Sequence, residues 1–237
     1  MKNYLLIFLK EKKKIKYIII HYTGTKTLLE ALNIFKDKTS LVSCHWLISK
    51  KGKLYKIVDE KNVAWHAGIS YWKGEKMLND NSIGIELDNI GHGLNYKIFS
   101  NVQMLVLEKL LKLLINKYNI KIKNVLGHSD IAPDRKLDPG ELFNWHRLAK
   151  KNLAYYPSVK KYAPNKIFFK LGDRNKAIGI IKSKLIKIGY KCSQDNYFDI
   201  YLKLLVEAFQ RRFLPEKING IIDGKVYSRI LDVSKNA

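Results

Sequence analysis

Arginine, cysteine, proline and long apolar runs are all scarce in this sequence, and each scarcity excludes something. Only six of the 44 basic residues are arginines, whereas proteins that read phosphates and base edges favour the bidentate fork of arginine over the point charge of lysine. The formal charge of +23 would attract any polyanion. The lysines nevertheless run along the whole chain beside many Ile and Asn, as a bias of overall composition does, and no specific nucleic-acid partner is expected. The two cysteines, Cys44 and Cys192, fall in segments assigned below to different domains, so two free thiols are expected rather than a disulfide. No apolar run approaches the roughly 20 residues that cross a bilayer as a helix, and Tyr4–Leu9 is far too short. That stretch precedes the charged run Lys10–Lys14 and is followed by no small-residue cleavage site, the reverse of a secretory signal. A soluble chain without a recognisable export signal is expected.

What is present is a globular composition. At 237 residues and 46% hydrophobic, the chain can bury one ordinary core plus a smaller one, which excludes disorder. The first 150 residues alternate strand-like and helix-like segments, the pattern of a mixed α/β domain. Tyr17-Ile-Ile-Ile-His21 reads as a buried strand. Thr27–Lys36 places Leu28, Ala31, Leu32 and Phe35 at helical spacing. His45–Ser49 and Leu54–Val58 flank a glycine-containing connection and read as a hairpin. Ile83–Leu87 is a further strand, and Ser100-x-x-Gln103 reads as a capping box opening a helix that runs to about Tyr118. Two of the five prolines fall between Asn152 and Lys166, where periodicity stops, as in a linker. Beyond it, Ile178, Ile181, Leu185 and Ile188 form one helical stripe closed by Gly189, and Leu202, Leu205, Val206, Phe209 and Phe213 form a second. A third short helix is expected after Asn219–Gly224. The resulting division is a mixed α/β domain over 1–155, a linker over 156–166 and a small three-helix domain over 167–237.

Histidines number six: His21, His45, His66, His92, His128 and His146. His21 ends the first strand, where a side chain can turn into a cleft. His128 stands near the start of the loop 127–140, which also carries Asp130, Asp134 and Asp138 and two prolines. Two neutral imidazoles and one carboxylate make a catalytic zinc site, because three protein ligands leave a fourth tetrahedral position for water. Spacing alone leaves all three aspartates open as the third ligand.

The segments Ile20-His-Tyr-Thr23, Val42-Ser-Cys-His-Trp-Leu-Ile48, Ala64-Trp-His-Ala-Gly68, Asn81-Ser-Ile-Gly-Ile-Glu86 and Gly127-His128 through Pro139-Gly140 together resemble the type 2 N-acetylmuramoyl-L-alanine amidases. Those enzymes share a fold with the peptidoglycan recognition proteins. The resemblance covers residues 15 to about 150 and implies a mixed central sheet flanked by helices. It implies one Zn2+ held by His21, His128 and Asp138, with Glu86 and Lys136 in the chemistry: a carboxylate that takes and returns a proton, and a cation facing the oxyanion. It also implies that His45, Trp65, His66 and Trp72 line the cleft and touch sugar or stem peptide, whereas His92 and His146 are read as structural or exposed. Cys44 is not expected to reach the metal beside His45, since neighbouring strand residues face opposite sides.

Leu171-Gly-Asp-Arg174, Leu185–Tyr190, Phe198-Asp199, Ala208-Phe-Gln210 and Ile218–Gly224 resemble a three-helix peptidoglycan-binding module. Ile181-Lys182 departs from the Leu-Gln usual there. The expectation is therefore a zinc amidase that cuts the bond between N-acetylmuramic acid and L-alanine in peptidoglycan or muropeptides. The alternative is a non-catalytic peptidoglycan-recognition module. A polymer-binding domain points to the cell envelope, while the missing export signal points to the cytoplasm.

Overall fold

The computed structural model describes residues 13–157 and 166–236. The Tyr4–Leu9 stretch, residues 10–12 of the charged run and residues 158–165 of the expected linker lie outside the described residues. The β-branched run forms β1 (Tyr17–Tyr22), in which Tyr17 to His21 are all buried. Helix α1 (Leu28–Lys36) is capped by the Thr27 hydroxyl, which accepts from the Glu30 amide, and buries Ala31 and Phe35. The expected hairpin is β2 (Trp46–Ile48) with β3 (Leu54–Lys56). A short ribbon of β4 (Tyr71–Trp72) and β5 (Glu75–Lys76) precedes β6 (Ser82–Leu87), which is buried throughout. Helix α2 (Asn101–Tyr118) is followed by β7 (Val125–Gly127), α3 (His128–Ile131) and α4 (Trp145–Ala149). The five-stranded sheet runs β3-β2-β6-β1-β7, parallel except at the β2–β3 edge.

Ser100 caps α2 by accepting from the Gln103 amide at 3.1 Å, but the expected box does not close. The Gln103 side chain is fully buried and donates to the carbonyls of Ile48 and Asp88 instead. Two inward-facing carbonyls outbid a cap that water could satisfy.

The two faces of the sheet are covered differently, as strand alternation dictates. Ile18, Ile20, Ile83 and Ile85 pack under α2 with Leu107, Leu111 and Leu114. Tyr17, Ile19 and Leu126 point the other way, into a cluster built by the C-terminal residues. There, β8 (Ile167–Phe169) pairs with β9 (Ile222–Asp223), and α5 (Lys176–Ile188), α6 (Ile200–Phe213) and α7 (Gly224–Lys235) form three helices. Their apolar stripes, with Leu185, Leu205, Phe209 and Ile230 in the middle, merge with the sheet residues into one continuous core. The β8–β9 ribbon was not legible in the sequence, being too short for any period to emerge. Lys182 is fully buried, and its ammonium is committed to Ser193 and Asp195. Among the described residues no helix is long and apolar enough to cross a membrane.

One buried carboxylate on the α2 side gives a test of this packing. Glu60 accepts from Trp46 Nε1 at 3.0 Å, Lys117 Nζ at 2.7 Å and Tyr118 Oη at 2.5 Å. Burial alone would raise its pKa, yet these donors together hold it below the usual carboxylate value. A depressed folded pKa contributes stability above the unfolded value and loses it as pH falls through the folded one. Glu60→Gln should therefore cost about 1–2 kcal/mol at neutral pH, at the lower end for bonds to a charged group because Lys117 is half in water. The gap in Tm between variant and wild type should narrow as the pH is lowered past the ordinary glutamate range. A gap that stays constant with pH would contradict this account.

Candidate active site

Parallel pairing in register sets up the site. His21 on β1 lies directly beside Glu86 on β6, and in-register neighbours of a sheet present their side chains to the same face. On the other side of β1, Ile20 pairs with Gly127, the last residue of β7, so His128 begins α3 next to His21. The third group arrives from the loop after α3, where the Ser129 amide donates to the Asp138 carbonyl at 2.9 Å. Close approach here requires Gly127, since a Cβ at that position would stand 2.6 Å from Pro139 Cδ.

His21, His128 and Asp138, all buried, form a cluster that could hold a metal ion. His21 Nδ1 is 3.0 Å from His128 Nδ1 and 2.9 Å from Asp138 Oδ2, and His128 Nδ1 is 3.1 Å from the same oxygen. The outer hydrogen bonds fix what these inner atoms carry. The Ala67 carbonyl can only accept, so His128 Nε2, 3.2 Å away, donates to it, and the neutral ring keeps a lone pair on Nδ1. For His21 the same logic runs through a relay. Ser82 Oγ donates to the Leu78 carbonyl at 2.5 Å and accepts from His66 Nε2 at 3.2 Å. His66 Nδ1 then accepts from His21 Nε2 at 3.0 Å, again leaving Nδ1 as the bare nitrogen. Two imidazole lone pairs and a carboxylate oxygen thus converge on one point, an arrangement that repels itself unless a cation sits among them. Burial pushes His128 down to about 4, against the pull of Asp138, so its ring stays neutral at ordinary pH. Burial would raise Asp138, but the two imidazoles beside it outweigh burial and hold the carboxyl well below the usual range.

Glu86 is buried, and its Oε2 has no hydrogen-bond partner. Burial, with a smaller push from Asp138 and opposed by His21 and Lys136, raises its pKa to about 7. A cleft of about 400 Å3 opens over the cluster, lined by His21, Glu86, His128, Lys136 and Asp138. It continues past His66 and Arg135 into a second lobe of about 410 Å3 that includes Trp65, Val42 and Met77.

Of the residues expected to line the cleft, Trp65 and His66 do so. His66 serves chiefly as the partner of His21, and a Cβ on Gly84 would collide with its ring. His45 and Trp72 are corrected. His45 is fully buried; its Nδ1 accepts from the Gly84 amide and its Nε2 faces the Asn62 carbonyl, so it braces the chain beneath the cleft. Trp72 is buried against Tyr190 and Gly189 under the helical unit. Of the three loop aspartates, Asp134 is exposed and Asp130 faces Arg212. His92 bridges Tyr22 and Glu141, His146 is exposed, and Cys44 is enclosed beside Phe35. Ser82 and Arg135, whose guanidinium donates to the Ala67 and Ile69 carbonyls, carry no mark in the sequence beyond lying within or beside the quoted motifs.

Comparison with known proteins places this geometry. Residues 11–141 match the N-acetylmuramoyl-L-alanine amidase family. The chain is 35% identical over 227 residues to N-acetylmuramoyl-L-alanine amidase AmiD of Escherichia coli, spanning 90% of this chain and 79% of that protein. The solved complex of AmiD with anhydro-N-acetylmuramic acid-L-Ala-D-gamma-Glu-L-Lys superposes with a TM-score of 0.82 at 31% identity, over 96% of this chain and 91% of that one. AmpDh3 of Pseudomonas aeruginosa superposes with a TM-score of 0.80 over 96% of this chain and 94% of its own, and at 24% identity that likeness speaks to the fold alone. From its first buried strand to the loop that carries Asp138, this chain belongs to the N-acetylmuramoyl-L-alanine amidase family.

Proposed function

We propose that the chain hydrolyses the amide joining the lactyl group of N-acetylmuramic acid to the L-alanine of the stem peptide, using one Zn2+ held by His21, His128 and Asp138. The observation that carries this reading is the convergence of three bare ligand atoms 2.9–3.1 Å apart beside a buried carboxylate with an unpartnered oxygen. The donor set fits zinc. Bonds of about 2.0–2.2 Å to nitrogen and oxygen place tetrahedral ligands roughly 3.3 Å apart, close to the separations found. Three protein donors leave a position for substrate or water, as catalytic rather than structural sites do.

Zinc held by these three residues would supply Lewis acidity toward a carbonyl oxygen or a water molecule. The remaining work falls to the chain. Glu86 takes the proton of the attacking water on its free oxygen and returns it to the L-alanine nitrogen as the C–N bond breaks. Its raised pKa, about 7, matches a group that must both accept and give. Lys136, on the cleft wall, meets the negative charge that develops on the carbonyl oxygen. The His66–Ser82 relay and the Ala67 carbonyl hold the two imidazoles in the tautomer that binds metal. Trp65 offers an indole face to sugar or peptide. The non-catalytic alternative would have no use for an ionisable group kept dry beside a metal cluster.

Substrates of the anhydro-muramyl peptide class follow from the relative solved with such a ligand, and the helical unit favours work in the cell envelope on wall polymer. Digestion of anhydro-muropeptides and of intact sacculi, followed by mass spectrometry, should release stem peptide with a free L-alanine amino terminus. Products of glycan-bond or inter-peptide cleavage alone would sink the proposal.

A further inference from the structure

We infer that Arg212, on helix α6 of the C-terminal unit, is a positioning residue for the metal cluster and acts through Asp130; this rests on the metal reading above. Asp130 lies two residues after His128 on α3 and is 1% exposed. Its Oδ2 accepts from the Gly127 amide at 2.8 Å, and its Oδ1 from Tyr190 Oη at 3.2 Å. Arg212 closes this arrangement from the far side. One guanidinium nitrogen pairs with Asp130 Oδ2, and the other donates to the carbonyls of Val125 at 3.1 Å and Tyr155 at 3.3 Å. The group lies 4.0 Å over the ring of Trp145 and is itself 4% exposed.

Two of the three candidate ligands depend on the turn that this ion pair braces. His128 is the first residue of α3, directly after the amide that Asp130 holds, and the Asp138 backbone hangs from the Ser129 amide. A helix of four residues cannot hold its own shape, so its geometry must be imposed from outside. The carboxylate at Asp130 imposes it, and a carboxylate can stay in so dry a place only with its counter-charge present. That counter-charge comes from the helical unit and not from the sheet. Without it Asp130 must turn toward water, releasing the Gly127 amide and loosening the inner nitrogen of His128. The helical unit is thereby part of the frame of the catalytic centre, whatever else it binds.

The test uses the full chain as Arg212→Met, Arg212→Lys and Leu205→Ala, the last opening a cavity on the same helix while leaving every hydrogen-bond partner of Asp130 in place. Zinc affinity is read by competition with a chromogenic chelator at a temperature where circular dichroism shows each variant folded, and cobalt-substituted protein reports ligand geometry through its visible spectrum. Arg212→Met should weaken zinc binding by about 10-fold, the low end of the loss when a direct hydrogen-bond partner of a metal ligand is removed, because Arg212 acts one residue further out, alter the cobalt spectrum, and lower kcat more than it changes KM. Arg212→Lys should fall between, because one ammonium cannot reach the carboxylate and both carbonyls; it decides the matter if the methionine variant does not fold. Leu205→Ala should lose thermal stability while keeping the wild-type affinity and spectrum. Unchanged zinc affinity in both Arg212 variants, or an equal loss in Leu205→Ala, would reduce Arg212 to an ordinary packing contact. A wild-type protein that bound no zinc would remove the metal site, and this inference with it.

Discussion

Glu86→Gln is expected to lower kcat by roughly 10²–10⁴-fold, the span ordinarily supplied by a positioned acid–base group, while zinc content stays at the wild-type level. Glutamine keeps the shape of the side chain and its place opposite His21 in the sheet, so the variant removes proton transfer without opening a cavity. The free Oε2 of Glu86 is what makes the expectation large: among the described residues no donor competes for it. The pH dependence has a definite sign. With its pKa raised to about 7 by burial, the carboxyl carries its own proton in acid and cannot accept another, so the wild-type rate should rise from acid toward neutral pH. The residual rate of the glutamine variant should lack that rise. Steady-state kinetics together with metal analysis decide it: a kcat close to wild type, or a variant that has lost its zinc, would take Glu86 out of the proposed role.

Removal of the metal should be the more complete loss. A strong chelator, or Asp138→Ala, is expected to abolish amide hydrolysis, and zinc added back should restore only the chelated wild type. Stability should follow occupancy, because a ligand that binds only the folded chain stabilises it by about 4 kcal/mol at a thousand times its Kd. The stripped protein should therefore melt earlier than the zinc-loaded one. Acid should release the ion as well, since both imidazoles must be neutral to bind it. Thermal melts and activity measured on the same chelated sample check the two effects at once. Hydrolysis that survived metal removal would overturn the assignment of His21, His128 and Asp138.

How much of this could be read from the residues depended on whether the information was local. Helix α2 and strand β1 were legible because eighteen and six residues respectively repeat one pattern of burial. The β8–β9 ribbon was not, because two or three residues carry no period. Gln103 fitted a capping box by spacing, yet the carbonyls of Ile48 in β2 and Asp88 just past β6 claimed its amide. The same limit governed the site. His21 at a strand end and His128 in an acidic loop stood out, but choosing among Asp130, Asp134 and Asp138 took resemblance, because the partner that occupies Asp130 is Arg212, far along the chain. His45 and Trp72 lay in suggestive motifs, and only the packing shows that one is sealed beneath the cleft and the other beneath the helices. The pairing of His66 with His21 was equally invisible, since it depends on β6 presenting a glycine where any side chain would displace the ring.

The face of the sheet formed by Tyr17, Ile19 and Leu126, which shares one core with Ile188, Phe213 and Val233 of the C-terminal helices, bears on how such a chain can evolve. A gene fragment encoding only the sheet half would deliver a protein with a large greasy surface, prone to clump before it could be selected for anything. Shuffling can pass the two halves on together, or pass the first on only after its exposed wall has been repainted with polar residues.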